Sequence, residues 1–454
     1  METINQWIDR HRDELVEAAR RLIRIPSDSQ PPQDGMPFGE GPAQALAECL
    51  RLASEWGFET RNFDNYAGTV TLGEGEPLLG ILGHLDVVPA GDGWSVPPFE
   101  GVVRDGRLFG RGAIDDKGPV AAALLAMRTV RELGLPLRRA VRCIVGCDEE
   151  SGSRDMDYYT AREPFPPLLF SPDGSYPVIN IEKGRVQLLL SAEPGEDGQL
   201  LAAAGGETIN AVPHRAEALL AGREAAAIGR IGADVRLSAD EEDGQTRLTV
   251  HGEAAHGSTP ELGKNAVTAL LELLAALPGD SPLLRQVRAL SASCPFAETD
   301  GTSAGVACRD EVSGALSMAL TILRIEQGRL TAEADIRFPV SRSVAEIQAL
   351  LRAHFEPLGF SVAFRGCAEP HHVPGDSPFV QTLLRVYEEQ TGEPGYCIAI
   401  GGGTYVHDTE NGVAFGAEFP GEQNNMHAAD ESVRIDSLLQ SAKLFAHAIC
   451  AICG

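Results

Sequence analysis

His84 and Asp86 stand two residues apart in GHLDVVPAGDGW, at the end of the apolar run LLGILG. On a strand, residues two apart project from one face, so this imidazole and carboxylate leave the sheet side by side. A metal-ligating imidazole gives its other ring N–H to an acceptor, and a carboxylate at this spacing can serve. Taken alone, the pair also reads as a satisfied surface pair. Four further segments carry ligand-type residues: Asp115 and Asp116 in GRGAIDDKGP, Glu149 and Glu150 in CDEESGS, Asp173 in SPDGSYP, and His427 in NNMHAADE. Each has an ordinary reading as a helix cap, a solvated edge, an Asx turn or a surface histidine. Jointly they end nearly every apolar strand of one part of the chain. Two imidazoles and three carboxylates suit a pair of zinc-like ions, with a bridging carboxylate holding them about 3.5–4 Å apart. Of two neighbouring glutamates, one can bind metal while the other stays free as a base, because a carboxylate used as a ligand has lost its basicity.

The elements that must place these groups alternate up to about residue 180. Amphipathic helical patterns near 3–24 and 41–56 precede the apolar runs TVTLGEG and PLLGILGHLDVV. A helix is expected after DDKG, with Pro119 at its first position, and another in SGSRDMDYYTARE behind a serine cap. AVRCIVGCDEE reads as a buried strand between them. Such alternation predicts an α/β sheet with functional groups at strand ends. From 186 to 375 the texture changes to RVQLLLSAEPG, QTRLTVHGEAAHGS and GRLTAEADIRFPV, antiparallel in character and interleaved with helices such as NAVTALLELLAAL. The helix SPFVQTLLRVYEEQTG and the strand GVAFGAEF then resume the first texture. The expectation is a discontinuous domain, 1–185 and 376–454, interrupted by an α+β insertion.

Composition narrows the partners. The 454 residues carry 65 acidic and 38 basic side chains, a formal charge of -27 that repels nucleic acid and anionic membrane surfaces. No run of 18 apolar residues occurs, and the charged N-terminal stretch reads as a helix and not as a signal peptide. Nine scattered cysteines suit a reducing cytoplasm better than a disulfide framework. The CAIC at Cys450 to Cys453 reads as helix packing. The run AIGGGTY lacks the G-x-G-x-x-G spacing of a dinucleotide site.

These segments, together with AHGSTPELGKNA, resemble in order and along nearly the whole chain the co-catalytic zinc metallopeptidases that include aminoacylase, carnosinase and the glutamate carboxypeptidases, and most closely the bacterial PepV-type dipeptidases. The resemblance implies a zinc-peptidase-like α/β/α catalytic domain with an inserted α+β lid domain. It implies that His84, Asp115 and Asp173 hold one ion and Asp115, Glu150 and His427 the other. Asp115 is the bridge because it stands two before Lys117, as the family's Asp-x-Lys-Gly pattern requires, with a cis peptide after it. Asp86 becomes the partner of His84, and Glu149 the general base. His256 becomes the histidine that steadies the oxyanion, Asn210 a substrate contact, and Arg337 the fork that grips a terminal carboxylate. Gly402 and Thr404 line the substrate pocket in the same reading, although the following VHDTEN departs from the basic or neutral residues expected there.

The implied reaction is metal-dependent hydrolysis of dipeptides with free amino and carboxyl termini. The implied cofactor is two divalent ions, zinc first, with manganese or cobalt accommodated by the same ligands. An N-acyl-amino-acid deacylase, desuccinylase or deacetylase, would share the fold and metals and differ in accepting an acyl group in place of a free amine. A non-catalytic binding protein would have lost Glu149 or a ligand, and the sequence retains them all. The remaining expectations are a small peptide as partner, no nucleic acid, no membrane, and a cytoplasmic monomer or homodimer.

Overall fold

The apolar run Pro77–His84 is a buried strand in the computed structural model, which describes residues 2–222, 235–242 and 244–454. It pairs in parallel with Ala140–Gly146 on one side and Leu168–Ser171 on the other, and Gly412–Ala414 continues the parallel set. Antiparallel strands Glu59–Phe63 and Ala67–Leu72 extend one edge, and Val178–Glu182, His371–His372 and Cys397–Ile400 extend the other. The central strands read as continuous apolar runs because both of their faces are covered, as a parallel sheet requires. The chain is an α/β protein.

Two compact units divide the chain. The first comprises Met1–Asn180, Val373–Ile398 and Gly403–Gly454. Its core joins the sheet to helices Arg12–Ile23, Glu40–Glu55, Lys117–Glu132, Pro378–Thr391 and Ile435–Cys453. Helix Ile435–Cys453 is long and apolar enough to cross a membrane by length and composition. Here its Leu438, Phe445 and Ile449 are wholly buried in that core, which stabilises the fold by about 1.5–3 kcal/mol per side chain. Cys453 is buried and Cys450 partly so, both as free thiols.

The second unit, Ile181–His372 with Ala399–Gly402, is built on an eight-stranded sheet whose described pairings are all antiparallel. In strand Gly184–Ala192 every second residue is buried, because one face meets the core and the other does not. Helices Ala266–Ala275, Pro282–Ser293 and Val344–Phe355 supply apolar residues to that core. The Asn265 side chain caps the first by accepting the amides of Val267 and Thr268. Residues 399–402 fall in this unit, not with the segment 376–454 in which the sequence reading put them; strand Cys397–Ile400 straddles the division.

Three local expectations are corrected. The helical pattern over 3–24 is two helices, Ile4–Arg10 and Arg12–Ile23, interrupted at His11, whose ring stacks on Trp7 and whose Nδ1 lies 2.7 Å from the Trp7 carbonyl. Pro119 occupies the third position of Lys117–Glu132, not the first; first-turn amides lack intrahelical partners, so a proline fits there too. Ser153 does precede helix Arg154–Thr160, but its hydroxyl makes no cap, and Asp148 Oδ2 accepts the Arg154 amide instead.

Candidate metal centre

Four adjacent parallel strands end on one side of the first unit's sheet, and the segments leaving them carry the ligand-type residues. His84 closes Pro77–His84, Glu149 and Glu150 open a single 3-10 turn after Ala140–Gly146, and Asp173 follows Leu168–Ser171. Asp115 ends the turn before helix Lys117–Glu132, and its peptide bond to Asp116 is cis. His427 lies in the loop after Gly412–Ala414 with φ +60°, a left-handed conformation that non-glycine residues seldom hold without a functional reason.

These side chains converge. The Asp115 carboxylate has an imidazole on each oxygen: His84 Nε2 is 2.8 Å from Oδ1, and His427 Nε2 is 2.7 Å from Oδ2. Asp173 Oδ2 is 3.7 Å from His84 Nε2, and Glu150 Oε1 is 3.4 Å from His427 Nε2. Ligand atoms of His84, Glu149 and Asp173 all lie within 4.8 Å of one another, as do those of His84, Asp115 and Glu150.

Asp86 acts differently from the simple expectation. The closest acceptor for His84 Nδ1 is the Asp86 backbone carbonyl at 3.0 Å, with the carboxylate at 3.5 Å. The wholly buried carboxylate instead accepts the amides of Glu149, at 3.2 Å, and Glu150, at 3.0 Å. Asp86 therefore fixes both the His84 ring, with Nε2 toward the cluster, and the turn that presents the two glutamates.

Four carboxylates against two imidazoles leave an excess of negative charge in a buried place. Burial, then the neighbouring Asp173, Glu150 and Asp115 charges, push the Glu149 carboxyl well above its ordinary value against the pull of His84. Burial and the Asp115 charge raise Asp173 and Glu150 as well. Burial would raise Asp115 too, but hydrogen bonds from His427 and His84 hold it below the usual range. His427, hydrogen-bonded to Asp115 and Glu150, is pushed up to about 10. Such a cluster is costly unless cations enter it, and imidazole with carboxylate is a ligand set for divalent ions. The residues fit a metal pair.

In the second unit, His256 lies in the short strand Ala255–His256, paired with Ala211–Val212. Its Nδ1 lies 2.6 Å from the Ser258 hydroxyl and 3.2 Å from the Ser258 amide, which fixes the ring against this turn. Asn210 is exposed in the turn before Ala211. Arg337 is only 5% exposed: its Nε and Nη2 each lie 3.0 Å from Asp335 Oδ2, and its Nη1 donates to the Gly401 carbonyl. A Cβ on Gly401 would come within 2.6 Å of Ser258 Cβ, whereas one on Gly402 would meet only Ile400 at 3.7 Å, so the steric need for glycine is at 401. Thr404, in the first unit, uses its hydroxyl to accept the Val406 amide at the start of turn Tyr405–Asp408.

Sequence reasoning passed over several buried polar groups around the cluster. Asp116 Oδ2 accepts the His84 amide, and Asp155 Oδ2 accepts the amides of Cys147 and Asp148 and the Tyr405 hydroxyl. Lys117 Nζ donates to the Ile25 carbonyl, and burial lowers it to about 7. Arg111 and Glu431 form a wholly buried ion pair. Arg111 and Asp116 lie inside GRGAIDDKGP and Glu431 ends NNMHAADE, and of the three the sequence reading named only Asp116, as a ligand-type neighbour of Asp115.

Comparison with known proteins follows the same lines. The model of peptidase family M20/M25/M40 matches residues 80–451. A putative dipeptidase, YtjP, of Bacillus subtilis (strain 168) is 37% identical, covering 97% of each chain. A Beta-Ala-Xaa dipeptidase of Lactobacillus delbrueckii subsp. lactis is 35% identical, covering 96% of each. Among solved structures, human carnosine dipeptidase 1 superposes with a TM-score of 0.63 at 17% identity, covering 99% of this chain and 98% of that one. Bacillus subtilis YXEP, described as a dinuclear metal binding peptidase, gives 0.51 at 12% identity, covering 97% and 98%. At these identities the superpositions establish the fold.

Proposed function

This chain belongs to peptidase family M20/M25/M40, and we propose that within it the chain is a metal-dependent dipeptidase acting on dipeptides with free amino and carboxyl termini. The observation that carries the reading is the Asp115 carboxylate with an imidazole on each oxygen and a further carboxylate beside each imidazole. In this reading His84, Asp115 and Asp173 hold one ion, and Asp115, Glu150 and His427 the other, with zinc the first choice and manganese or cobalt accommodated. When bound, the ions supply Lewis acidity toward a carbonyl oxygen and lower the pKa of water.

Glu149 is the general base. Among the described residues no imidazole hydrogen-bonds its carboxyl, whereas Glu150 sits beside His427, which leaves Glu149 as the carboxylate able to accept and return a proton. The attacking water gives its proton to Glu149 as its oxygen bonds to the scissile carbonyl carbon, and Glu149 delivers that proton to the leaving nitrogen as the C–N bond breaks. Asp86 holds Glu149 at the correct place through its amide. In this reading His256 steadies the developing oxyanion, Arg337 grips the terminal carboxylate, and Asn210, Gly402 and Thr404 bind the remainder of the substrate. A cytoplasmic location completes the reading, supported by nine free cysteines.

The test compares hydrolysis of Ala-Ala with that of N-acetyl- and N-succinyl-amino acids by metal-loaded protein. Preference for Ala-Ala of tenfold or more in kcat/KM supports the dipeptidase; the reverse preference makes the chain a deacylase.

A further inference from the structure

Glu431 is wholly buried, four residues after His427, and no part of the proposed chemistry uses it. Its Oε1 accepts the Ile114 amide at 3.0 Å and the Asp115 amide at 3.4 Å. Its Oε2 is 2.5 Å from Arg111 Nη1, and its backbone carbonyl accepts the Gly110 amide at 3.0 Å. Arg111, 1% exposed, lies across from Trp94 and reaches the carbonyls of Pro89 and Ala90 at 3.4 Å. On the other side, the Ser432 amide donates to the Asn424 carbonyl at 2.9 Å, closing the loop that carries His427 at its base. The Asp430 carboxylate accepts the Ser95 amide and pins the same loop from outside.

A buried ion pair is a poor source of stability, because desolvation offsets much of the attraction. A well-packed apolar pair in its place is often neutral or stabilising, so the retention of this one calls for a geometric explanation. The two segments it joins are those whose side chains meet at Asp115 Oδ2 and His427 Nε2 although 312 residues separate them in sequence. Among the described residues the amides of Ile114 and Asp115 have no acceptor besides Glu431, so without it the turn that aims the Asp115 carboxylate loses its tether.

We propose that Glu431, braced by Arg111, is a positioning residue for the metal centre: it clasps the backbone amides of Ile114 and Asp115 and so sets the spacing between the bridging carboxylate and His427. The inference rests on the metal reading above. It predicts that metal affinity and fold stability separate on mutation, because the clasp needs an acceptor oxygen at position 431 while the core needs only shape.

The experiment titrates metal-free protein with Co(II), following affinity by calorimetry and geometry by the visible absorption of the bound ion. Wild type must bind two Co(II) per chain; fewer would sink the metal reading itself, and this inference with it. The double variant Arg111→Met/Glu431→Leu removes the clasp and both charges. It is expected to melt within a few degrees of wild type yet bind Co(II) about 10–100-fold more weakly, with an altered spectrum. Arg111→Met/Glu431→Gln keeps the acceptor oxygen and should recover affinity to within about threefold. Wild-type affinity and spectrum in the leucine variant would overturn the inference, as would an equal loss in the glutamine variant. If the leucine variant does not fold, Glu431→Asp, one methylene too short for the clasp, should lose about tenfold in affinity; unchanged affinity there overturns the inference as well.

Discussion

Glu149→Gln separates the proposed base from the proposed ligands. The amide is nearly isosteric, keeps the backbone amide on Asp86, and cannot accept a proton from water. General base catalysis contributes about 10²–10⁴-fold, so kcat should fall by that factor, or about 3–5 kcal/mol in the barrier. KM for a dipeptide should stay within about threefold, because neither substrate terminus is assigned to Glu149. Stability should move the other way. In metal-free protein the Glu149 carboxyl is held against burial and the charges of Asp173, Glu150 and Asp115, and a neutral amide relieves all four, so the metal-free variant should melt at or above the wild-type temperature. The assay pairs steady-state kinetics on Ala-Ala with metal analysis of the same preparation. Two ions per chain with activity lost is the expected outcome. Loss of an ion would refute the division of labour between the glutamates, since Glu149 also lies within ligand range of His84 and Asp173.

Arg337→Lys keeps the charge but cannot satisfy both Asp335 and Gly401, so KM for dipeptides should rise about tenfold while dipeptide amides are less affected; equal effects on both would remove Arg337 from the carboxylate role. Burial raises the Asp155 carboxyl from 3.8 to about 6, against hydrogen bonds from Tyr405 and the Cys147 and Met156 amides. Between those pH values the folded chain holds a proton that the unfolded chain has released, so this residue's contribution falls as pH rises through the window, by about 3 kcal/mol in all. The melting temperature of Asp155→Asn relative to wild type should therefore climb from pH 4 to pH 7, and a flat difference would contradict the assignment. At pH 8 a thiol reagent should label the exposed Cys367 and Cys397 within minutes and leave Cys49, whose thiol burial pushes up to about 12, unreacted in folded protein. Mass spectrometry after digestion reads the sites.

Strand ends were the legible part of this chain. His84, Glu149, Glu150 and Asp173 each follow an apolar run directly, and parallel strands gather such ends on one side of a sheet, so sequence pattern alone brings them close. His427 follows a long irregular loop and Asp115 a glycine-flanked turn; their place beside the others came from the family resemblance, because no periodicity fixes a loop. The buried ion pair of Arg111 with Glu431 was not legible, since two charged residues 320 apart look solvated until the fold pairs them. Asp335, two residues before Arg337 on one strand, was missed because spacing alone would have left that arginine, and so its partner, on the surface. The helix break at His11 and the idle hydroxyl of Ser153 are contests between neighbouring hydrogen-bond partners that propensity does not decide.

The central claim is that one cluster holds two cations and hydrolyses dipeptides. Its direct test is stepwise addition of zinc to chelator-stripped protein, with bound metal and Ala-Ala hydrolysis measured on the same samples. Two equivalents should bind per chain, with no hydrolysis before metal is added and full activity when the second site fills. Hydrolysis by the stripped protein, or saturation at fewer than two ions, would contradict it.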